Sequence, residues 1–187
     1  MKLSILTLIL GLLTGCSFGI RDFTSDPRAE NFVGKCFELT SESFVYEARC
    51  VDLESSGMGS RVMCPGLQSF LAGGKWISFP TSYREYSNKK GYWDETMFDK
   101  LLFEEQREIA YPVPAGTKLY ISKVVQYPWG SSGHKWVVRA ILHPEGRPHQ
   151  EVELPTIGLL TYGDTWTASE FMSFPELKRD YVQNCQM

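Results

Sequence analysis

Histidine is scarce in this chain, with three residues in 187, and no run of basic residues occurs. Nineteen Lys and Arg against 22 Asp and Glu leave a formal charge of −3. A mildly acidic chain without a basic patch is poorly suited to nucleic acid. No Cys-x-x-Cys pair is present, so the usual spacing of a zinc site is missing. Gly130-Ser131-Ser132-Gly133 lacks the Gly-x-Ser-x-Gly spacing of a nucleophile elbow. No glycine-rich loop of phosphate-cradling form follows a strand, and there is neither an internal repeat nor a low-complexity tract. These absences predict a protein without a cofactor and without a recognisable catalytic motif, and hence a non-enzyme.

What is present begins at the first residue. Lys2 is followed by Leu3 to Leu13, whose only polar members are Ser4 and Thr7, and then by Thr14-Gly15-Cys16. Charge, a short apolar segment and small residues in that order are the grammar of a signal peptide; a membrane span needs about 20 apolar residues. Leu13-Thr14-Gly15-Cys16 resembles the lipobox of bacterial lipoprotein precursors. The resemblance implies cleavage before Cys16, a diacylated Cys16 thiol and an acylated new amino terminus, giving a signal peptide over 1–15. Each buried methylene adds about 0.8 kcal/mol, so two or three acyl chains make a lasting anchor in the membrane. In Gram-negative members an aspartate after the cysteine holds the protein at the inner membrane. Ser17 stands there in this chain, so the expected address is the periplasmic face of the outer membrane. Loss of Lys2 moves the net charge to −4, which leaves the anchoring to the acyl chains rather than to attraction by anionic lipid.

With Cys16 acylated, Cys36, Cys50, Cys64 and Cys185 remain. An even number in an exported chain reads as two disulfides with three possible connectivities. Ser55-Ser56-Gly57-Met58-Gly59 is a turn signal midway between Cys50 and Cys64. A hairpin turning there would set those two opposite each other, which favours Cys50–Cys64 and leaves Cys36–Cys185.

Residues 16–31 are rich in Ser, Gly, Asp, Pro and Arg and read as a tether. A single globular domain is expected over 32–187. Phe32 to Leu39 and Phe44 to Val51 read as strands. Pro65 opens an apolar segment (Leu67, Phe70, Leu71) of one or two helical turns. A polar aromatic loop around Tyr83–Trp93 precedes a helix expected from an Asp94 cap to Glu108. From Tyr111 onward the period changes to two. Lys118 to Gln126, with Leu119, Ile121 and Val125 on one side, then Lys135 to His143, with Trp136, Val138, Ala140 and Leu142 on one face, and then Gln150 to Leu154 form an antiparallel meander. Ser173-Phe174-Pro175-Glu176 has the pattern of a capping box before a short last helix. The fold class is therefore β-rich α+β: a meander or small partly open barrel with one mid-chain helix, a C-terminal helix and two disulfides. The Ala115-Gly116-Thr117 turn into the meander resembles the opening of a bacterial Src-homology-type small barrel. Gly34-Lys35-Cys36 and Gly116-Thr117-Lys118 resemble stretches of small bacterial lipoproteins of unassigned function, a likeness that implies no activity.

Two constellations stand out as candidate sites. His143 and His149 lie symmetrically about Gly146, so a regular hairpin brings them together, where they could hold a metal with Glu145 or Glu151. Tyr86, Tyr92, Trp93, Tyr127 and Trp129 flank polar loops and have the character of binding anchors, whereas Trp76, Trp136 and Trp166 are expected in the core. The resulting expectation is a membrane-anchored, non-enzymatic protein-binding or scaffolding module whose partner is another envelope protein. The alternatives are an immunity or inhibitor protein against an envelope-targeting toxin or lytic enzyme, and a cell-wall-active enzyme.

Overall fold

The structure, a computed structural model, describes residues 21–49, 63–72, 80–97, 109–128, 134–156, 164–167 and 173–186. In chain order its elements are β1 (Arg21–Asp22), β2 (Cys36–Leu39), β3 (Ser43–Arg49), β4 (Met63–Ser69), α1 (Tyr83–Asn88), α2 (Lys90–Met97), β5 (Ile109–Val113), β6 (Lys118–Pro128), β7 (His134–His143), β8 (Gln150–Leu154) and β9 (Val182–Asn184). The strands form one nine-stranded mixed sheet in the order β5-β3-β4-β8-β7-β6-β2-β9, with β1 paired to β6 beyond the reach of β2. All pairings are antiparallel except β4 with β8. The chain is thus β-rich α+β.

The hydrogen-bonded order is open, yet the sheet curls. Four strands separate β5 from β6 in that order, while only residues 114–117 join Val113 to Lys118. Gly116, at φ +80°, makes this tight reversal possible. The curl encloses the main core, where Leu39, Val45, Leu67, Leu119, Ile121, Val138, Leu142 and Leu154 pack around Trp136 and Trp166. Strand alternation sends Trp136, Val138, Ala140 and Leu142 inward as expected. On β6 the expected stripe breaks, because a β-bulge between Ile121 and Lys123 shifts the phase. Val124 instead of Val125 joins Leu119 and Ile121 in the core.

Several sequence expectations need correction. The segment 21–31, expected in the tether, belongs to the domain. Arg21 and Asp22 pair with Gln126 and Val125, Ala29 is buried, and Phe23 packs edge-on against Trp136. Residues 1–20 lie outside the described residues. Strand β2 starts at Cys36, after the turns that follow the 3-10 segment Pro27–Ala29. The stretch opened by Pro65 is strand β4 and not helix. Pro65 faces Glu47 of β3, and the β8 pairing is made at Gly66, so a ladder position without an N–H is accommodated.

The expected loop over Tyr83–Trp93 is helical. Ser82 caps α1 by accepting from Glu85 N, while the Glu85 carboxylate accepts from Thr81 N and Thr81 Oγ1. Asp94 lies inside α2 rather than capping it, and the remainder of the helix expected to reach Glu108 lies outside the described residues. The C-terminal helix is absent among the described residues. Leu177 bridges to Thr167, Lys178 N donates to Trp166 O, and Val182–Asn184 completes the sheet beside β2.

Cys36 and Cys185 are joined as expected, across the β2–β9 edge and not to a helix. It is the one disulfide seen whole among the described residues. Cys64 is also disulfide-bonded, but the register sets it opposite Ala48, two residues from the hairpin alignment expected with Cys50. Cys50 itself lies outside the described residues.

Candidate functional site

On β7 and β8 the residues that alternate with the core-facing ones include Arg139, Glu151 and Glu153, which gather into a polar cluster on the opposite face of the sheet. Arg139 stands opposite Glu153 in register. Its guanidinium lies 3.6 Å from Glu151 and 3.8 Å from Glu153, and Nη2 reaches Cys64 Sγ at 4.0 Å. The residue inserted by the β6 bulge, Ser122, donates its hydroxyl to Glu151 Oε1 at 2.9 Å. One arginine thereby ties β4, β7 and β8 together, and Ser122 adds β6 through Glu151.

Glu153 is the unusual member. Its side chain keeps 24% exposure, yet Oε2 is buried and accepts no hydrogen bond. Burial pushes the carboxyl from the ordinary 4.5 up to about 7; Arg139 opposes the rise and Glu151 adds to it. Gly66 explains the crowding, since it pairs with Tyr46 on one side and Glu153 on the other. A Cβ at Gly66 would stand 2.5 Å from the Tyr46 ring, so only glycine admits the ring there. Burial, followed by the charge of Glu153, pushes the Tyr46 hydroxyl upward as well.

A carboxyl poised near neutrality can serve as a general acid or base, and structural ion networks produce the same shift. Here the neighbours of Glu153 are the sheet's own residues, which makes the cluster a cross-strand staple.

The raised value has a defined consequence for stability. Between pH 4.5 and about 7 the folded protein holds a proton at Glu153 that the unfolded chain releases. Stability therefore falls as pH climbs through that window. Glu153→Gln should remove that part of the slope, worth ~1–3 kcal/mol, in urea titrations at pH 5 and pH 8. An unchanged slope would show that the carboxyl titrates normally.

The histidine pair assembles as the sequence indicates. Leu142 pairs with Gln150 across a turn containing Gly146 at φ +70°, and the His143 and His149 rings stack at 3.7 Å with 24° between their planes. Tyr120 flanks His143 at 4.8 Å. Burial, then the charge of His149, lowers the His143 pKa. Near-parallel rings aim their in-plane nitrogen lone pairs along separate planes, an arrangement that does not converge on one ion. Glu151, expected as a further ligand, is engaged by Ser122 and Arg139. Among the described residues no group of three metal-binding side chains exists. His134 opens β7, at the strand end where the sequence puts it.

The aromatic candidates separate. Tyr86 and Trp93 are 1% and 5% exposed and belong to a second core with Phe44, Tyr46, Phe70 and Ile109, which corrects their expected role as surface anchors. The Tyr86 hydroxyl donates to Asp94 Oδ1 at 2.7 Å and locks α1 to α2. Tyr92 is 59% exposed, with its ring edge-on to Trp93 at 5.0 Å. Tyr127 pairs through its backbone with Lys135; its side chain and all of Trp129 lie outside the described residues. Trp136 and Trp166 are buried in the core as expected, and Trp76 lies outside the described residues.

Reasoning from sequence passed over Arg139, Glu153 and Gly66. The alternation of β7 and β8 already marks the first two as sharing a face, but the helical reading of the segment opened by Pro65 conceals the third. No protein-family model matches the chain, and neither a curated protein nor a solved structure matches it.

Proposed function

We propose that this chain is an exported lipoprotein, acylated at Cys16 and held at the periplasmic face of the outer membrane, where it binds another envelope protein without catalysis. The observation that carries the export reading is the Cys36–Cys185 disulfide, since structural disulfides persist in oxidising compartments. The lipobox-like Leu13-Thr14-Gly15-Cys16 supplies the anchor, and Cys50 is the partner of Cys64 in this reading.

Of the aromatic residues considered as binding anchors, Tyr92 offers an exposed ring on a helix that Trp93 fixes to the second core. A ring with few torsions left to freeze is suited to a protein interface. The raised Glu153 carboxyl supports a second reading, a wall-active enzyme, but its buried Oε2 and sheet-borne neighbours favour the binding role.

A photo-crosslinking amino acid at position 92, in intact cells, tests the binding reading. A discrete adduct with one envelope protein is expected, and none from the position of Arg84, which is also exposed. Equal labelling from both positions, or no protein adduct from position 92, would count against it.

A further inference from the structure

We propose that the β7–β8 turn is a proton-operated strap: acidification charges both rings of the His143–His149 stack, the rings part, and the turn lifts off Tyr111. The device needs neither an acyl anchor nor a bound protein, so it holds or falls independently of export.

The backbone does little to hold this turn. Leu142–Gln150 is the last pair of the β7–β8 ladder, and Pro144-Glu145-Gly146-Arg147-Pro148 separates the two histidines beyond it. Both prolines lack an N–H. Inside the turn one backbone bond forms, Arg147 N to Pro144 O, and at 3.4 Å it is long. Side chains hold the turn instead, at two points. On the face away from the core, the His143 and His149 rings stack at 3.7 Å. At the turn itself the Arg147 guanidinium lies over the Tyr111 ring, 4.2 Å from its centroid, and the Tyr111 hydroxyl donates to Gln150 Oε1. Tyr111 belongs to β5, three places from β8 in the sheet order. The hairpin is thus strapped across the curl to a strand with which it does not pair.

The charges around the stack favour its opening. Lys118 of β6 is in register with His143, and Arg147 lies in the turn, so both cations add to any imidazolium charge. Tyr120 of β6 contributes a ring 4.8 Å from His143. Of the carboxylates, Glu145 is exposed in the turn, Glu38 of β2 stands in register with Lys118, and Glu151 is engaged by Ser122 and Arg139. Among the described residues none of these forms an ion pair with either histidine. Two imidazolium rings at stacking distance repel, and nothing in contact offsets them. Burial, then the charge of His149, already holds the His143 pKa below the ordinary 6.5. A histidine lowered in this way supports the folded contact while neutral, and that support is lost as pH falls. With the rings apart, one long backbone bond is left inside the turn. Arg147 then leaves the Tyr111 ring and uncovers that end of the main core, against which Tyr111 packs.

Hydrogen exchange of the full-length protein in detergent micelles tests the strap, at about pH 7.5 and about pH 5.5 after correction for the intrinsic rate. Peptides spanning Ile141–Glu151 should lose protection several-fold on acidification. Protonation of Glu153 stabilises the sheet over the same range, so the middle of β6 and β7 should lose none. A loosened turn beside an unloosened sheet marks a local event. His149→Phe keeps a stacking ring without the proton, and its turn should respond little to pH. Unchanged protection of the turn in the unsubstituted protein overturns the strap, whether or not the variant folds. So does a His149→Phe turn that loosens as much as the parent's, or a loss of protection spread over the whole sheet.

Discussion

A chain carrying Cys36→Ser and Cys185→Ser together is expected to lose about 3–5 kcal/mol of stability. The bond spans 149 residues of separation, so its loss frees nearly the whole domain in the unfolded state. Loop-closure arithmetic for that separation comes to about 5 kcal/mol, the upper end of what native disulfides deliver. The folded state gives up little, because Phe37–Asn184, Glu38–Gln183 and Leu39–Val182 still align the strands and Cys185 N still donates to Cys36 O at 3.2 Å. For a domain of this size the melting temperature should fall by roughly 10 °C. Urea unfolding of the double variant beside the parent protein measures it. A loss under about 1 kcal/mol would mean that the bond does not restrict the unfolded chain.

The second large effect belongs to Trp166, which is fully buried. Its indole stacks on Tyr181 at 5.3 Å with 9° between planes, and Nε1 donates to Gln68 Oε1 at 2.7 Å. Its backbone N donates to Pro155 O at 2.7 Å, and its O accepts from Lys178 N at 2.8 Å. Trp166→Ala should cost about 3–5 kcal/mol, from lost burial and from the cavity left inside the curl. Trp166→Phe keeps much of the volume and loses the N–H, while Gln68 Oε1 still accepts from Ser69 N at 2.9 Å. The phenylalanine variant should therefore lose about 1–2 kcal/mol, and the difference between the two separates packing from hydrogen bonding. Equal losses in denaturant titrations would show that the indole N–H carries the effect.

Where residue pattern and turn chemistry agree, the fold was legible before any coordinates. Gln150–Leu154 matches β8 at both ends, and the symmetry of His143 and His149 about Gly146 foretold that they meet across the turn. Where local signals compete with long-range pairing, the reading failed. Leu67, Phe70 and Leu71 have helical spacing, but β3 recruits the segment as a strand along seven paired positions. Tyr86 and Trp93 lie seven residues apart, a separation that helical turns place on one face. The intervening Asn88-Lys89-Lys90-Gly91 hid that relation, as it hid the Thr81-Ser82-x-x-Glu85 cap. The supposed C-terminal helix was decided by Trp166, whose backbone claims Lys178 and leaves Val182 to β2. The Arg139–Glu153 cluster escaped for a related reason. Its depth depends on Gly66 of a strand 73 residues from Arg139, a juxtaposition without a local trace.

The seat of β9 beside β2 has a consequence for biogenesis. A chain is synthesised from its N-terminal side, so β2 emerges before most of the sheet and its neighbour β9 only after the other eight strands. Until residues 182–185 arrive, Phe37 and Leu39 lie on a strand with an unfilled side, the kind of template that recruits foreign strands. Closure of this edge thus waits on the arrival of β9, and a holdase has a defined period in which to act.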